Sequence, residues 1–199
     1  MQLVVISNEV FFDGEAEIIN QIFKEGLEYF HLRKPASSEK DIASFIDQIK
    51  TDFHHRISLH YHHNLASEFG IKRLHFTEKE RNNHQLKHYQ NLVDKGYFLT
   101  TSVHSVQDLK DLSKSFSYTF LSPVFDSISK SNYKGFTTTD FTLNDAVKPT
   151  KVIALGGVNE DNISKLKSMN FNGAAVLGYL WKTPQTAIEN FLKLKKHVE

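Results

Sequence analysis

The sequence repeats one pattern along its length: a short apolar run, then a longer segment with apolar residues at helical spacing. The runs have the length of β-strands and lie at residues 3–7, 29–32, 57–61, 73–76, 97–101, 118–121, 152–155 and 174–177. Strands that alternate with helices predict a parallel sheet, and eight repeats predict a compact α/β fold, the (β/α)₈ TIM barrel. Because 199 residues is short for a fold of about 250, an open doubly wound sheet is the alternative.

The segments between the runs predict helices at residues 15–26, 38–53, 105–115 and 159–169, and a last helix opened by Thr183 and Pro184. Their apolar residues recur every three or four positions, which places them on one helix face. Ser38 and Ser105 precede two of these helices, where a hydroxyl caps the first turn. Pro184 suits a first turn, because the N–H that it lacks is not needed there.

Composition places the chain among ordinary globular proteins, with 40% hydrophobic and 24% charged residues. A formal net charge of +1 argues against a surface that binds nucleic acid. The chain has no cysteine, which excludes disulfides, cysteine-ligated zinc and a thiol nucleophile. No signal peptide is visible, and no apolar run approaches the roughly 18 residues of a membrane span. We expect one cytoplasmic domain over residues 1–199, without nucleic-acid or membrane partners.

A TIM barrel carries its chemistry in the loops after the strands, so the polar residues at predicted strand ends are the candidate site. After the second strand, alternation places His31 and Arg33 on the face of Tyr29. An imidazole and a guanidinium in the barrel mouth form a site for an anion or a polar ligand. The alternative for Arg33 is a structural ion pair.

The third and fourth strand ends carry residues that could hold a cation. His60 and His62 share a face by alternation, as metal ligands do, although packed or surface histidines are more common. Glu78 and Glu80 follow the fourth strand, where two acids either bind a divalent cation through oxygen or favour the start of a helix.

Hydroxyl, imidazole and ammonium groups follow the fifth and sixth strands. Ser102 and His104 could bind a ligand or exchange protons with it. The long segment 122–136 contains Ser127, Ser129 and Lys130, a set that suits a phosphate or diphosphate. Long loops of this kind are lids or are disordered, and we favour the lid.

Two glycine-bearing turns follow the seventh and eighth strands. Gly156 and Gly157 form the first, and the second runs from Gly178 to Leu180. Glycine lets backbone N–H groups approach a phosphate closely, and barrels of this class often bind phosphate at these two strand ends. The order and adjacency of the turns therefore predict a phosphate site.

In this order, the strand-end segments resemble the thiamine-phosphate synthase/TenI superfamily over nearly the whole chain. The motifs that carry the resemblance are Phe30-His31-Leu32-Arg33, Ser102-Val103-His104-Ser105 and residues 118–130, 152–158 and 173–178. The resemblance implies a small TIM barrel in thiamine biosynthesis. In the synthase branch a pyrimidine diphosphate loses diphosphate with the help of Mg²⁺, and a thiazole phosphate captures the cation. In the tautomerase branch a thiazole carboxylate phosphate is isomerised by acid–base catalysis.

The resemblance also implies roles for individual residues. Arg33 and Lys130 match basic residues of the family, and Ser102 matches a serine that contacts diphosphate or pyrimidine. Ser127 and Ser129 stand where threonines bind the phosphate groups, and Gly157 and Gly178 match the phosphate turns. The expected partners are thus thiazole phosphate and a pyrimidine diphosphate, and the likeness to TenI-type proteins adds a homodimer as an expectation.

Three departures from the family pattern leave alternatives open. Tyr61 stands where the synthases have an aspartate that binds Mg²⁺, and Glu80 aligns with their second metal aspartate. Pro123 stands where the tautomerases have an acid–base histidine. The first hypothesis is a thiamine-phosphate synthase whose metal site combines Glu80 with His60, His62 or Glu78. The others are a tautomerase with its acid–base group moved to His31 or His104, and a non-catalytic binder of thiazole phosphate.

Overall fold

Eight parallel strands close into a barrel in the computed structural model, which describes residues 1–126 and 141–199. The strands are β1 (Gln2–Ile6), β2 (Tyr29–Leu32), β3 (Ile57–Leu59), β4 (Arg73–Phe76), β5 (Phe98–Val103), β6 (Phe116–Leu121), β7 (Lys151–Leu155) and β8 (Gly173–Val176). Each strand pairs with the next along the chain, and β1 also pairs with β8. The predicted TIM barrel is therefore confirmed and the open sheet is wrong. Every predicted strand is present, with ends displaced by at most two residues.

Helices connect the strands, and most are shorter than the sequence pattern predicts. They are α1 (Glu15–Lys24), α2 (Glu39–Asp47), α3 (Leu65–Glu68), α4 (Glu78–Asn82), α5 (Leu86–Asp94), α6 (Val106–Lys110), α7 (Lys165–Ser168), α8 (Gly178–Trp181) and α9 (Ala187–Val198). The predicted helix 159–169 reduces to α7, and α3, α4 and α5 had no predicted counterpart. No helix of the described residues has the length and hydropathy to cross a membrane.

The end of α2 shows why the predicted helix 38–53 stops early. The Asn20 side chain donates to the Gln48 carbonyl at 2.9 Å and accepts from the Lys50 N–H at 2.9 Å. These bonds satisfy the backbone at the end of α2 and turn the chain into a 3₁₀ helix at Thr51–Arg56. At the start of α2, Ser38 caps the helix as predicted and forms a capping box with Asp41. Ser105 caps α6 as predicted, by accepting a hydrogen bond from the Asp108 N–H.

Two apolar layers lie on the two faces of the sheet. The outer layer packs the helices on the strands and includes Phe30 and Leu32. The inner layer fills the barrel with Val4, Ile6, Tyr118, Phe120, Ile153 and Ala175. Alternation along β2 turns His31, which lies between two outward apolar residues, toward this interior. Polar side chains on neighbouring strands also point into the barrel interior.

A buried ion pair fixes the loop after β2 against α1. The Lys34 ammonium lies 2.8 and 2.5 Å from the two Glu15 carboxylate oxygens, and both side chains are almost fully buried. Burial raises the pKa of Glu15 and lowers that of Lys34, while the mutual attraction opposes both shifts. The Lys34 ammonium is therefore committed to Glu15.

Replacing Glu15 alone should destabilise the protein strongly. We expect Glu15→Gln to lower the free energy of unfolding by about 3–5 kcal/mol, because it leaves the Lys34 ammonium buried without its counter-charge. The double variant Glu15→Gln/Lys34→Met should lose markedly less, since neither charge is then buried. Urea unfolding of both variants at neutral pH measures the difference. Equal losses would show that packing, and not the ion pair, dominates at this position.

Candidate functional site

Three histidines from neighbouring strands meet inside the barrel. His31 lies on β2, His60 directly follows β3, and His75 lies on β4. The His31 Nδ1 and His60 Nε2 atoms are 2.8 Å apart, and the His60 and His75 rings stack at 3.9 Å. All three side chains are buried. We call His31, His60 and His75 the histidine cluster.

Hydroxyl groups hold two members of the histidine cluster in place. Tyr118 Oη lies 2.5 Å from His31 Nε2, so both ring nitrogens of His31 have partners. His75 lies between Thr100 Oγ1, 2.9 Å from Nδ1, and Ser102 Oγ, 3.1 Å from Nε2. His60 differs, because its buried Nδ1 has no hydrogen-bond partner among the described residues.

Burial keeps the histidine cluster uncharged at neutral pH. Desolvation, followed by the nearby Arg73 charge, lowers the pKa of His31 to about 3. Desolvation also lowers the pKa values of His60 and His75 well below 6.5, and the other imidazoles of the cluster add to the shift. Burial raises the pKa of Tyr118, so its hydroxyl stays protonated. The barrel interior therefore offers neutral hydrogen-bond donors and acceptors.

The predicted site residues Arg33 and His104 lie at more exposed positions. The Arg33 guanidinium pairs with Glu9 on the surface, as the ion-pair alternative for this residue expects. Such an exposed pair holds its partners weakly, so an anionic ligand can compete for the guanidinium. His104 Nδ1 lies 3.1 Å from the Ser122 carbonyl oxygen, and its Nε2 lies 3.6 Å from Glu78. Neither side chain belongs to the histidine cluster.

Sequence reasoning missed His75 and Arg81. His75 alternates with Leu74 and Phe76 along β4, which is the same signal that turns His31 inward. Arg81 gave no such signal. Its guanidinium donates to Thr101 Oγ1 at 2.8 Å and to the Ser102 carbonyl at 2.6 Å, and it lies 3.8 Å from Glu78. Arg81 therefore ties α4 to the end of β5.

The described residues do not form the expected magnesium site. A Glu80 carboxylate oxygen accepts bonds from the Thr77 N–H at 2.9 Å and the Thr77 hydroxyl at 2.8 Å, which makes Glu80 the partner in a capping box. Tyr61 offers a neutral phenol where the resemblance implies an aspartate. Mg²⁺ requires an octahedral set of oxygen ligands. The neighbouring side chain His60 supplies nitrogen instead, so these side chains do not fit Mg²⁺.

His62 lies apart from the histidine cluster. Its backbone has a φ of 53°, in the left-handed region, and this turns the chain away from the barrel after β3. Its Nε2 atom lies 3.1 Å from the Ser37 carbonyl, and its Nδ1 lies 3.8 Å from Glu39. The structure therefore does not bring His60 and His62 together, although alternation placed them on one face.

The two glycine turns lie at neighbouring strand ends. Gly156 and Gly157 have φ values of 96° and 68°, which favour glycine. A Cβ atom on Gly157 would lie 2.5 Å from the Asp126 backbone oxygen, so the loop after β6 packs directly on this turn. Within the described part of the chain, the N–H groups of Gly157 and Gly178 donate no hydrogen bond. They are therefore available to a ligand.

The remaining predicted site residues divide into two groups. Leu180 is buried in α8 and its N–H donates to the Leu177 carbonyl at 3.1 Å, so within the described residues the open donors of that turn are the Gly178 and Tyr179 N–H groups. Ser127, Ser129 and Lys130 lie outside the described residues, and so does most of the predicted lid.

A closed (β/α)₈ barrel with polar residues gathered at its strand ends defines a TIM-barrel protein with a strand-end site. The comparison with family models then identifies the group. The chain belongs to the thiamine monophosphate synthase family, whose model matches residues 3–180. No curated protein sequence matches the chain significantly.

Solved structures agree with this assignment. A thiamine phosphate pyrophosphorylase from Bacteroides thetaiotaomicron is 31% identical, with a TM-score of 0.79 over 100% of this chain and 98% of that one. A thiamine phosphate pyrophosphorylase from Pyrococcus furiosus is 14% identical, with a TM-score of 0.75 over 99% and 95% of the two chains. A 3-hexulose-6-phosphate synthase, 11% identical with a TM-score of 0.65 over 99% of each chain, shares the fold.

The buried imidazoles should make stability fall as the pH is lowered. Their pKa values are lower in the folded protein than the value of about 6.5 in an unfolded chain. Below pH 6.5 the unfolded chain binds protons that the folded chain does not, so protonation favours unfolding. We expect the three histidines of the cluster to contribute up to about 4 kcal/mol per pH unit to the fall in the free energy of unfolding between pH 6.5 and 5.

Urea unfolding at closely spaced pH values measures this slope. The variant His31→Gln should reduce it by about 1.4 kcal/mol per pH unit, the contribution of one proton. Ile153→Val removes a methylene from the same interior without removing a titratable group, and it should leave the slope unchanged. An unchanged slope in His31→Gln would show that His31 does not titrate with unfolding.

Proposed function

We propose that this protein is a thiamine-phosphate synthase: it binds thiazole phosphate at the turns after β7 and β8 and couples it to a pyrimidine diphosphate. The family and the Bacteroides thetaiotaomicron thiamine phosphate pyrophosphorylase support the assignment, since the likeness extends over the whole chain. The observation that carries the proposal is a pair of N–H groups, those of Gly157 and Gly178, that donate to no described residue and lie beside a neutral polar barrel interior.

The phosphate of the thiazole would bind the backbone of the two turns. The Gly157 and Gly178 N–H groups lie at the ends of adjacent strands, and α8 begins at Gly178. Backbone N–H groups at this place bind phosphate in many TIM barrels. They provide donors without a positive charge, so the turns hold the phosphate while leaving the nearby chemistry unperturbed.

The pyrimidine would bind at the mouth of the barrel, against the histidine cluster. A neutral heterocycle suits a space lined by the neutral histidine cluster and the Ser102 hydroxyl, because no charge must be desolvated. The buried His60 Nδ1, which lacks a partner in the described part of the protein, gains a hydrogen bond when such a ring arrives. The diphosphate would then point toward the Arg33 guanidinium at the mouth, and the Lys130 ammonium is proposed as its second cation.

The coupling requires one bond to break and one to form. The bond between the pyrimidine methylene carbon and the diphosphate oxygen breaks, and its electron pair leaves with the diphosphate. The lone pair of the thiazole nitrogen forms the new carbon–nitrogen bond. Arg33 and Lys130 would stabilise the charge that develops on the leaving group, as preorganised cations do. The buried interior would keep water from capturing the carbon cation first.

Tautomerisation of a thiazole carboxylate phosphate is the second candidate. Two observations favour it: the imidazoles are neutral, and Glu80 caps a helix instead of binding a cation. Acid–base catalysis needs a proton donor and acceptor, and it does not need a pair of carboxylates to hold a cation. Among the histidines proposed for the acid–base role, His31 has both nitrogens engaged and His104 is exposed. Within the histidine cluster, the buried His60 Nδ1 is the nitrogen left open for proton exchange.

A product assay tests the two candidates against each other. We expect purified protein, mixed with thiazole phosphate and the pyrimidine diphosphate, to form thiamine phosphate, detected after oxidation to its fluorescent product. Parallel reactions with Mg²⁺ and with a chelator show whether the diphosphate needs a cation. Absence of product in every reaction would contradict the synthase. Consumption of the thiazole carboxylate phosphate would then support the tautomerase, and binding of thiazole phosphate alone would support a non-catalytic binder.

Lys130 should act on the diphosphate and not on the fold. We expect Lys130→Ala to weaken the binding of inorganic diphosphate by roughly 10–100-fold, because a charge-assisted hydrogen bond contributes about 1.5–3 kcal/mol. The melting temperature should stay nearly unchanged. Calorimetry measures the dissociation constant, and Lys24→Ala on the exposed face of α1 is the matched control. A melting temperature lowered by several degrees would assign Lys130 a structural role instead.

A further inference from the structure

We propose that the histidine cluster binds Zn²⁺ or a chemically similar divalent cation of the late first transition row. One ring nitrogen from each of His31, His60 and His75 lies within 4.8 Å of the others. The proposal concerns a site made of nitrogen ligands inside the barrel. It does not depend on the coupling reaction, and neither the family nor the expected Mg²⁺ site supplies it.

The geometry requires only local ring movements. Two nitrogens bound to one tetrahedral zinc ion at about 2.1 Å lie about 3.4 Å from each other. The His31 and His60 nitrogens, now 2.8 Å apart, would exchange their hydrogen bond for two bonds to the cation. The His60 and His75 rings, which stack at an interplanar angle of 18°, would turn so that their in-plane lone pairs converge. The three strands that carry the ligands stay where the barrel fixes them.

The donor set selects the class of cation. The cluster consists of three imidazoles and no carboxylate, and imidazole suits zinc, copper, nickel and iron more than Mg²⁺ or Ca²⁺.

The outer contacts of the histidine cluster are those of a metal site. Tyr118 holds His31 through Nε2, and Thr100 holds His75 through Nδ1. A cation would therefore replace the His60 contact at His31 Nδ1 and the Ser102 contact at His75 Nε2. Partners of this kind orient metal-bound histidines and fix their tautomers. The buried His60 Nδ1, unpartnered within the described part of the chain, is a separate sign of an absent ligand. Once His60 binds the cation through one nitrogen, its other N–H can serve a bound substrate.

Three protein ligands would leave one position of a tetrahedral cation open. Catalytic zinc sites have this composition, and water or substrate takes the fourth position. Ser102 contacts His75 at 3.1 Å and is only half-buried, so it marks the side of the cluster that is closest to solvent. A ligand that enters from the barrel mouth would meet the cation there.

Binding of Co²⁺ and Zn²⁺ to the untagged full chain tests the proposal. The protein is first freed of metal with a chelator and dialysed. We expect Co²⁺ to bind with a stoichiometry of one per chain and to give the intense visible absorption of a tetrahedral site. Zn²⁺ should displace the Co²⁺, and a large excess of Mg²⁺ should not. The absence of saturable binding, or a weak octahedral spectrum, would overturn the proposal.

Variants locate the bound cation. His60→Ala and His75→Ala should each weaken Co²⁺ binding at least about 100-fold, and Tyr118→Phe, which removes an outer contact, should weaken it about 10-fold. The matched control is His84→Ala/His88→Ala. These two rings stack at 4.3 Å on the surface and are the obvious competing site. Loss of binding in this double variant, with retention in His60→Ala, would overturn the assignment.

Circular dichroism of the metal-free variants separates lost binding from lost folding. If the histidine variants do not fold, Co²⁺ binding is compared among three proteins instead: the unmodified chain, Tyr118→Phe and the surface double variant. Tetrahedral binding that survives the surface double variant and weakens in Tyr118→Phe supports the cluster. Binding unaffected by Tyr118→Phe overturns it. The product assay is independent of these readouts, so failure of the metal site and failure of the synthase are distinguishable.

Discussion

In a closed barrel of eight strands, a side chain that points inward can be satisfied only by other inward side chains or by a ligand. His31 meets this condition by lying between Tyr118 and His60, and His75 by lying between Thr100 and Ser102. A charged imidazole would lose its hydration against the apolar inner layer, so the buried rings stay neutral. Closure of the sheet thus determines the protonation state, and with it the chemistry, of the candidate site.

The barrel could be predicted because its determinants are local and periodic. Alternation along each strand is set by neighbouring residues, and the sequence therefore located all eight strands to within two residues. Helix lengths depend instead on distant contacts. α2 ends where the Asn20 side chain, from a different helix, forms hydrogen bonds with the backbone of Gln48 and Lys50. No periodicity within residues 38–53 contains that information.

The same distinction applies to the candidate site. His31 and His60 could be selected because they stand at predicted strand ends, where barrels place their chemistry. The separation of His60 from His62 could not be predicted, because it depends on the left-handed backbone conformation of His62. Lys34 is recognisable as a charged strand-end residue, yet its partner Glu15 is visible only in the fold. Glu80 takes the helix-start role that its position also allowed, since it caps α4 together with Thr77. Charge at a strand end therefore predicts location better than role.

The proposed pyrimidine site and the proposed cation site both involve the histidine cluster of the barrel. A pyrimidine ring and a nitrogen-bound cation would both use the histidine cluster, and the three imidazoles cannot serve the two independently. If the cation binds first, its open position offers the ring a Lewis acid, and the free energy of that contact must strengthen cation binding equally when the ring is present. If ring and cation instead need the same His60 nitrogen, each weakens the other by the same factor. The sign of that coupling follows from which nitrogen of His60 faces the mouth, so the orientation of one buried ring decides whether the cation is part of the chemistry or excludes it.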